Sequence, residues 1–291
     1  MNALPACNDH GFRIFDVHHH AGSIDAYFGF AKKRTDDDPE KARQLDIEAR
    51  LRFMDAWGIE HALLMPASGH ATTNGISDTQ RSNDWVAEYR SRRADRFPVA
   101  VGSVAPQDGD AAVTELHRCI DQLDMKGMVW HHRFLGCTIN HPGMKPLLAI
   151  LEQRRLPAMI HVIAESTLES PWRLEILADE FAKLKFVALD AFSSPAQASW
   201  MQYIAQRHDN IYFDTGVLSS AAHGLEKFVE IAGADRLLFG SDHYSSPQVF
   251  NTPFALYELL AASLTDIVKQ DILGDNARRL FELKLSDQPS T

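Results

Sequence analysis

The 291 residues predict an α/β fold, a closed (β/α)8 barrel with extra C-terminal helices, forming one domain over residues 1–291. Eight short runs rich in β-branched, aromatic and other apolar residues alternate with longer stretches of helical spacing, and eight such units close a barrel. The size fits, because barrels of this kind commonly run to this length as one domain, and 45% apolar residues supply a core. Histidines and acidic residues stand at the carboxyl ends of several runs, the end at which barrels carry their chemistry.

In chain order the predicted strands are residues 13–20 (RIFDVHHH), 61–68 (HALLMPAS), 97–104 (FPVAVGSV), 125–132 (MKGMVWHH), 156–163 (LPAMIHVI), 185–192 (KFVALDAF), 210–217 (NIYFDTGV) and 236–243 (RLLFGSDH). Helical spacing marks residues 47–58, 143–155 and 224–233, and Gly58 and Gly233 stand where helix-terminating glycines stand. Parallel strands with right-handed crossovers follow from the alternation. The rival fold, a doubly wound open sheet, would need a glycine-rich phosphate loop, and the first strand instead runs on into HHHAGSID. Two more helical pieces, near residues 265–273 and 276–285, are expected on the outside of the barrel. The long connection at residues 21–40 carries Tyr27, Phe28 and Phe30 beside a charged run and is expected to form a lid.

Composition narrows the function. With 29 basic against 39 acidic side chains the net charge is −10, which repels polyanions and argues against a nucleic-acid partner. Cys7, Cys119 and Cys137 are scattered without CxxC spacing, so neither a disulfide framework nor a thiolate metal cluster is expected. The start, MNALPACNDHGF, does not read as a signal peptide, and no apolar run approaches bilayer length. A reduced, cytoplasmic setting and no membrane partner are therefore expected.

The strongest signal is Asp16-Val17-His18-His19-His20 at the end of the first strand. Strict alternation points His18 and His20 one way and His19 the other, with Asp16 one layer below the pair, placed to orient a ligand. His161 sits among apolar residues near the end of the fifth strand, and Asp242 ends the eighth. In a closed barrel the eighth strand neighbours the first, so Asp242 would lie beside His18 and His20, with His161 on the opposite wall. A carboxylate there is costly to bury unless paired or metal-bound. Three imidazoles and one carboxylate suit one divalent metal ion, zinc ahead of manganese or iron(II). At the end of the fourth strand only one of His131 and His132 can face the cavity, and His132 or Arg133 is expected to hold an anionic substrate. Ser68, His70, His243 and Tyr244 are further candidates for lining.

The segments DVHHH, MIHV, LLFGSDHYSSP and LGDNARRLFEL together resemble the amidohydrolase superfamily, and within it the second amidohydrolase family of metal-dependent hydrolases and decarboxylases of aromatic or muconate-type acids. The likeness runs from Phe15 to Phe281. It implies that His18, His20, His161 and Asp242 are metal ligands and that Asp242 is also the catalytic acid/base. It implies one metal rather than two, because Lys126 stands too early on the fourth strand to bridge a pair. The family's histidine at the end of the sixth strand is replaced here by Asp190, placed on one face with Ala188 and Phe192. Asp190 is thus a second candidate catalytic residue, a harder ligand or a substrate anchor.

The function these features first suggest is hydrolysis of a small lactone, amide or ester, with metal-activated water and Asp242 moving the proton. The alternative is a non-oxidative decarboxylase of an aromatic or unsaturated acid, with a protein acid protonating the carbon that loses carbon dioxide. A metal-independent lactone hydrolase, and a barrel that binds a metal or ligand without catalysis, stand behind these two. Gly240-Ser241-Asp242 is not a nucleophile elbow, which argues against a serine hydrolase. A small-molecule substrate and a homodimer, the commonest closed oligomer, complete the expectations.

Overall fold

The structure, a computed structural model, describes residues 8–24, 38–67, 74–218, 224–246 and 252–283. Its strands are β1 (Ile14–Ala21), β2 (Ile59–Pro66), β3 (Val99–Ala100), β4 (Met128–Trp130), β5 (Ala158–His161), β6 (Phe186–Leu189), β7 (Ile211–Asp214) and β8 (Leu237–Leu238). Parallel ladders join β1, β2 and β3 into one run and β4 through β8 into another. Bridges from His19 to His243 and from Gly102 to Met128 join the two runs at both seams and close the barrel. The barrel expected from the alternation is the fold observed.

Helices follow the strands in order. They are α1 (Pro39–Ala56), α2 (Ile76–Arg92), α3 (Asp110–Asp121), the short α4 (His132–Leu135), α5 (Met144–Arg154), α6 (Pro171–Glu180), α7 (Pro195–Arg207) and α8 (Gly224–Ala232). After β8 come α9 (Phe254–Ala261), α10 (Asp266–Gln270), a π-helical turn (Asp271–Asp275) and α11 (Asn276–Leu280). Side-chain oxygens satisfy first-turn amides where the sequence offers them: Ser194 accepts from the Gln197 amide at α7 and Thr265 from the Val268 amide at α10. Gly58 and Gly233 take φ of +64° and +80°, the left-handed turn that stops a helix and frees the chain to enter the next strand.

Two apolar layers hold the fold. Phe15, Val17, Leu63, Met65, Val129, Met159 and Val187 fill the barrel interior, while Ala62, Leu64, Ala100, Trp130, Ile160 and Ala188 meet the helices outside. The last helix was expected on the outside, yet Ala277, Leu280 and Phe281 belong to the interior layer. They cover the floor of the barrel, where Phe281 stacks on Phe15. Among the described residues no helix is long and apolar enough to cross a membrane. Tyr27, Phe28 and Phe30 of the expected lid, with Ser68 and His70, lie outside the described residues.

Candidate metal centre

The site begins with an irregularity in β1. Asp16 is in register with Ala62 and His19 with Leu64, so two residues of β1, Val17 and His18, oppose the single Leu63. This is a β-bulge, and it changes the alternation. Val17 and His18 both turn inward, His20 follows, and Asp16 shares the outer side with His19. Asp16 therefore does not lie beneath the histidine pair as strict alternation required. It accepts hydrogen bonds from the amides of His18 and Ser241, both at 3.0 Å, and pairs with His19 Nε2 at 2.8 Å. Its work is to tie the β1 bulge to the segment that follows β8. Arg50 of α1, fully buried, supports the same seam by donating to the His20 carbonyl at 2.7 Å.

Inside the bulge three imidazoles converge. His18 Nε2 and His20 Nε2 are 3.0 Å apart, and Asp242 Oδ1 is 3.3 Å from each. His161 joins them, with one donor atom from each histidine within 4.8 Å of the others. All four side chains are buried. The outer nitrogen of every ring is engaged with an acceptor: His18 Nδ1 with Asp214 Oδ2 at 2.7 Å, His20 Nδ1 with the Pro66 carbonyl at 3.0 Å, and His161 Nδ1 with the Trp130 carbonyl at 2.9 Å. A neutral imidazole has one N–H, and those acceptors take it at Nδ1. Each Nε2 then presents a lone pair to the same point, beside a carboxylate oxygen. Such a donor set is repulsive until a cation occupies its centre, and outer hydrogen bonds of this kind orient metal ligands. The residues therefore fit one divalent ion.

The electrostatics agree. Burial disfavours charge on His18, but Asp214, Asp242 and Asp190 outweigh it and push its imidazole up to about 10. A proton on His18 meets the local negative charge until a divalent ion displaces it and takes up the Nε2 lone pair. Burial also raises Asp242 well above the ordinary carboxylate range, against the pull of His18. Asp190 is raised to about 6 by burial, with His18 opposing.

Asp190 reaches the cavity by a route the sequence did not show. Ala188 and Phe192, expected on its face, both lie in the outer layer. A left-handed backbone at Asp190, φ +60°, breaks the alternation and turns the carboxylate inward, 3.8 Å from His18 Nδ1. Asp242 has the same conformation, φ +54°. Asparagine and aspartate are the side chains that tolerate it best, and such strain collects at functional sites.

Three residues of the site were not singled out from the sequence. Asp214, the fully buried last residue of β7, holds His18 and also accepts from the Asp190 amide at 2.7 Å. A Cβ at Gly216 or Gly240 would collide with His18 Nδ1 or Asp214 Oδ2, so this pair is enclosed by glycine backbone. The available signal was a lone carboxylate in the apolar run Ile211-Tyr212-Phe213-Asp214, where a charge is costly to bury unpaired. On the fourth strand Val129 is interior and Trp130 exterior, so alternation continues to His131 rather than His132. His131 stacks on His161, ring centroids 4.1 Å apart, and its Nδ1 is 2.5 Å from buried Glu169. His132 is the buried first residue of α4, and Arg133 stands at the rim with its side chain 37% exposed, 3.8 Å from Glu169. Of the other lining candidates, Tyr244 stacks on His20 at 4.1 Å, whereas His243 faces the outer side against Phe53.

Comparison with known proteins agrees with this geometry. The family model described as amidohydrolase matches residues 15–283. A γ-resorcylate decarboxylase from Rhizobium sp. (strain MTP-10005) is 37% identical over 303 aligned positions, covering 83% of this chain and 89% of that protein. A second, from Rhizobium radiobacter, is 38% identical over 119 residues, and the match spans 39% of this chain and 35% of that protein. Among solved structures, a 5-carboxyvanillate decarboxylase from Novosphingobium aromaticivorans, complexed with manganese and 4-hydroxy-3-methoxy-5-nitrobenzoic acid, superposes with a TM-score of 0.69 at 19% identity, over 97% of this chain and 99% of its own. The chain belongs to the amidohydrolase family.

Proposed function

We propose that this protein is a metal-dependent, non-oxidative decarboxylase of a hydroxylated aromatic acid. The observation that carries the reading is the 37% identity to a γ-resorcylate decarboxylase across most of both chains. The buried donor set suits hydrolysis as well, and hydrolysis was the first reading of the sequence. The activity of the relatives moves the weight to carbon–carbon cleavage. Manganese replaces zinc as the proposed ion, because the related decarboxylase structure contains manganese.

His18, His20, His161 and Asp242 would hold the ion. When bound, it supplies the positive charge that anchors a substrate carboxylate and an adjacent phenolic oxygen. The chain's own groups do the rest. Tyr244, Phe134, Ile24 and Ala67 form an apolar cluster next to the histidines, a surface suited to a flat ring. Arg133 at the rim is proposed to attract the anion, as a guanidinium suits a carboxylate. Burial of the site excludes water from the ring carbon that must receive a proton.

The test is a panel assay on the manganese-loaded protein. γ-Resorcylate and 5-carboxyvanillate, each labelled with 13C in the carboxyl group, should release labelled carbon dioxide and leave the protonated phenol. Benzoate, which lacks the hydroxyl groups, should not react. Turnover of lactones, esters or amides with no carbon dioxide from any acid would sink the decarboxylase reading and restore the hydrolase.

A further inference from the structure

We propose that Asp214 sets the tautomer of His18 and thereby the strength of the ion site; the inference rests on the metal-centre reading above. The three imidazoles are not supported alike. His20 and His161 lean on backbone carbonyls, Pro66 at 3.0 Å and Trp130 at 2.9 Å. His18 leans on a carboxylate, Asp214 Oδ2, at 2.7 Å. An anionic acceptor makes the shorter and stronger hydrogen bond, and it raises the basicity of the far nitrogen more than a carbonyl does. His18 is therefore the ligand whose donor strength is set by a side chain.

Asp214 is built into place. It is the last residue of β7 and is fully buried. Its second oxygen, Oδ1, accepts from the Asp190 amide at 2.7 Å. Beside it Thr215 Oγ1 donates to the Gly240 carbonyl and accepts from the Gly240 amide, each at 3.0 Å, which holds the end of β7 against the segment that follows β8. A Cβ at Gly240 would strike Asp214 Oδ2, and one at Gly216 would strike His18 Nδ1. Glycine backbone thus packs against both ends of the hydrogen bond, and surroundings of low polarity strengthen it.

The consequence lies in the count of donors and acceptors. Asp214 faces two donors, the Asp190 amide and the His18 Nδ1–H, and offers an oxygen to each. The amide proton is fixed, whereas the imidazole proton can sit on either nitrogen. A carboxylate keeps it on Nδ1. His18 Nε2, 3.0 Å from His20 Nε2 and 3.3 Å from Asp242 Oδ1, then keeps its lone pair for the ion. An asparagine of the same shape has one acceptor oxygen and one NH2 group. Its oxygen goes to the Asp190 amide, and its NH2 group donates to His18 Nδ1. The imidazole proton moves to Nε2 and the ion loses a ligand. The opposite placement sets the NH2 group against the Asp190 N–H, two donors with no acceptor. Asp214 touches neither ion nor substrate and is a positioning residue.

The experiment measures manganese affinity, and the denaturation midpoint of the metal-free protein, for wild type and Asp214→Asn. Histidine 15N spectra are recorded on wild type loaded with zinc, a diamagnetic probe. Asp214→Asn should bind manganese about 10- to 100-fold more weakly. Its metal-free midpoint should stay close to wild type, because the asparagine still makes both hydrogen bonds. A residue that merely held the fold would shift the midpoint and leave the affinity alone. The wild-type spectrum should show His18 protonated at Nδ1 and ligating through Nε2. Manganese affinity within threefold of wild type in Asp214→Asn overturns the proposal. So does a wild-type spectrum with His18 ligating through Nδ1, a result that needs no variant and so decides the matter even if Asp214→Asn fails to fold. If wild type itself takes up neither manganese nor zinc, the metal-centre reading fails, and this inference fails with it.

Discussion

The two ends of the barrel bury charge in opposite ways. At the floor the buried Arg278 meets partly exposed carboxylates, Glu60 at 2.9 Å and Asp275 at 3.1 Å, and half-exposed Arg13 shares Glu60 at 2.9 Å. At the mouth Asp190, Asp214, Asp242 and Glu169 gather around imidazoles that turn their lone pairs to one point, with Arg133 out at the rim. The floor pairs its charges within the chain, although burial still pulls the Arg278 guanidinium below its ordinary value. On the proposed reading the mouth is completed by a cation, and its cost is tolerated for function. A folded chain can leave buried charge uncompensated only where a ligand will compensate it.

That contrast can be broken at several points. The largest effect is expected at the mouth: Asp242→Asn should leave the metal bound and lower turnover by about 10³-fold or more, and steady-state rates beside metal analysis will show whether it does. At the floor, Arg278→Met should cost about 1.5 to 3 kcal/mol of stability, the scale of losing hydrogen bonds to charged groups, with metal content unchanged. Chemical denaturation measures the first and mass spectrometry the second. Metal itself should stabilise the fold, by about 2.7 kcal/mol at a hundredfold excess over Kd. The His18→Ala/His20→Ala variant should lose that increment and Arg278→Met should keep it, both visible in thermal melts with and without manganese.

The smallest effects are in pH, and their signs differ between the two ends. Burial raises Glu60, but Arg13, His61 and Arg278 outweigh it and hold the carboxyl below its ordinary value. Its stabilising contribution is present above about pH 4.3 and is lost as pH falls through the lower folded value. At the mouth burial dominates and pushes Glu169 up to about 8, against hydrogen bonds from the Arg133 and His132 amides. Its folded form favours the bound proton, so its contribution is full below the ordinary glutamate value and fades as pH rises toward 8. Glu60→Gln should flatten the acid limb of the melting curve against pH, and Glu169→Gln the limb between mild acid and pH 8. Equal slopes from both variants would erase the distinction.

The sequence made much of this legible. The spacing of eight apolar runs gave the barrel, because the period-2 and period-3.6 patterns are written in side-chain hydrophobicity. His18, His20 and Asp242 were legible because barrel closure brings the first and eighth strands together, His161 because the fifth strand forms the opposite wall, and the family resemblance marked all four, which the structure gathers. What failed was strict alternation at the strand ends. A bulge at Val17-His18 moved Asp16 to the outer side, and a left-handed backbone at Asp190 turned it inward against the pattern of Ala188 and Phe192. Such local backbone departures depend on what packs around them and leave little mark on one strand's sequence. His131 could have been read by continuing inward from Val129. Glu169 could not, because it comes from a connection whose path only the fold determines.

The most direct test of the account is metal content. The native protein, purified without chelator and reloaded with manganese, should hold one ion per chain by mass spectrometry, and the His18→Ala/His20→Ala variant should hold none. A native protein that takes up no ion after reloading, or a double variant that binds as much as wild type, would contradict the assignment of the mouth as a metal centre.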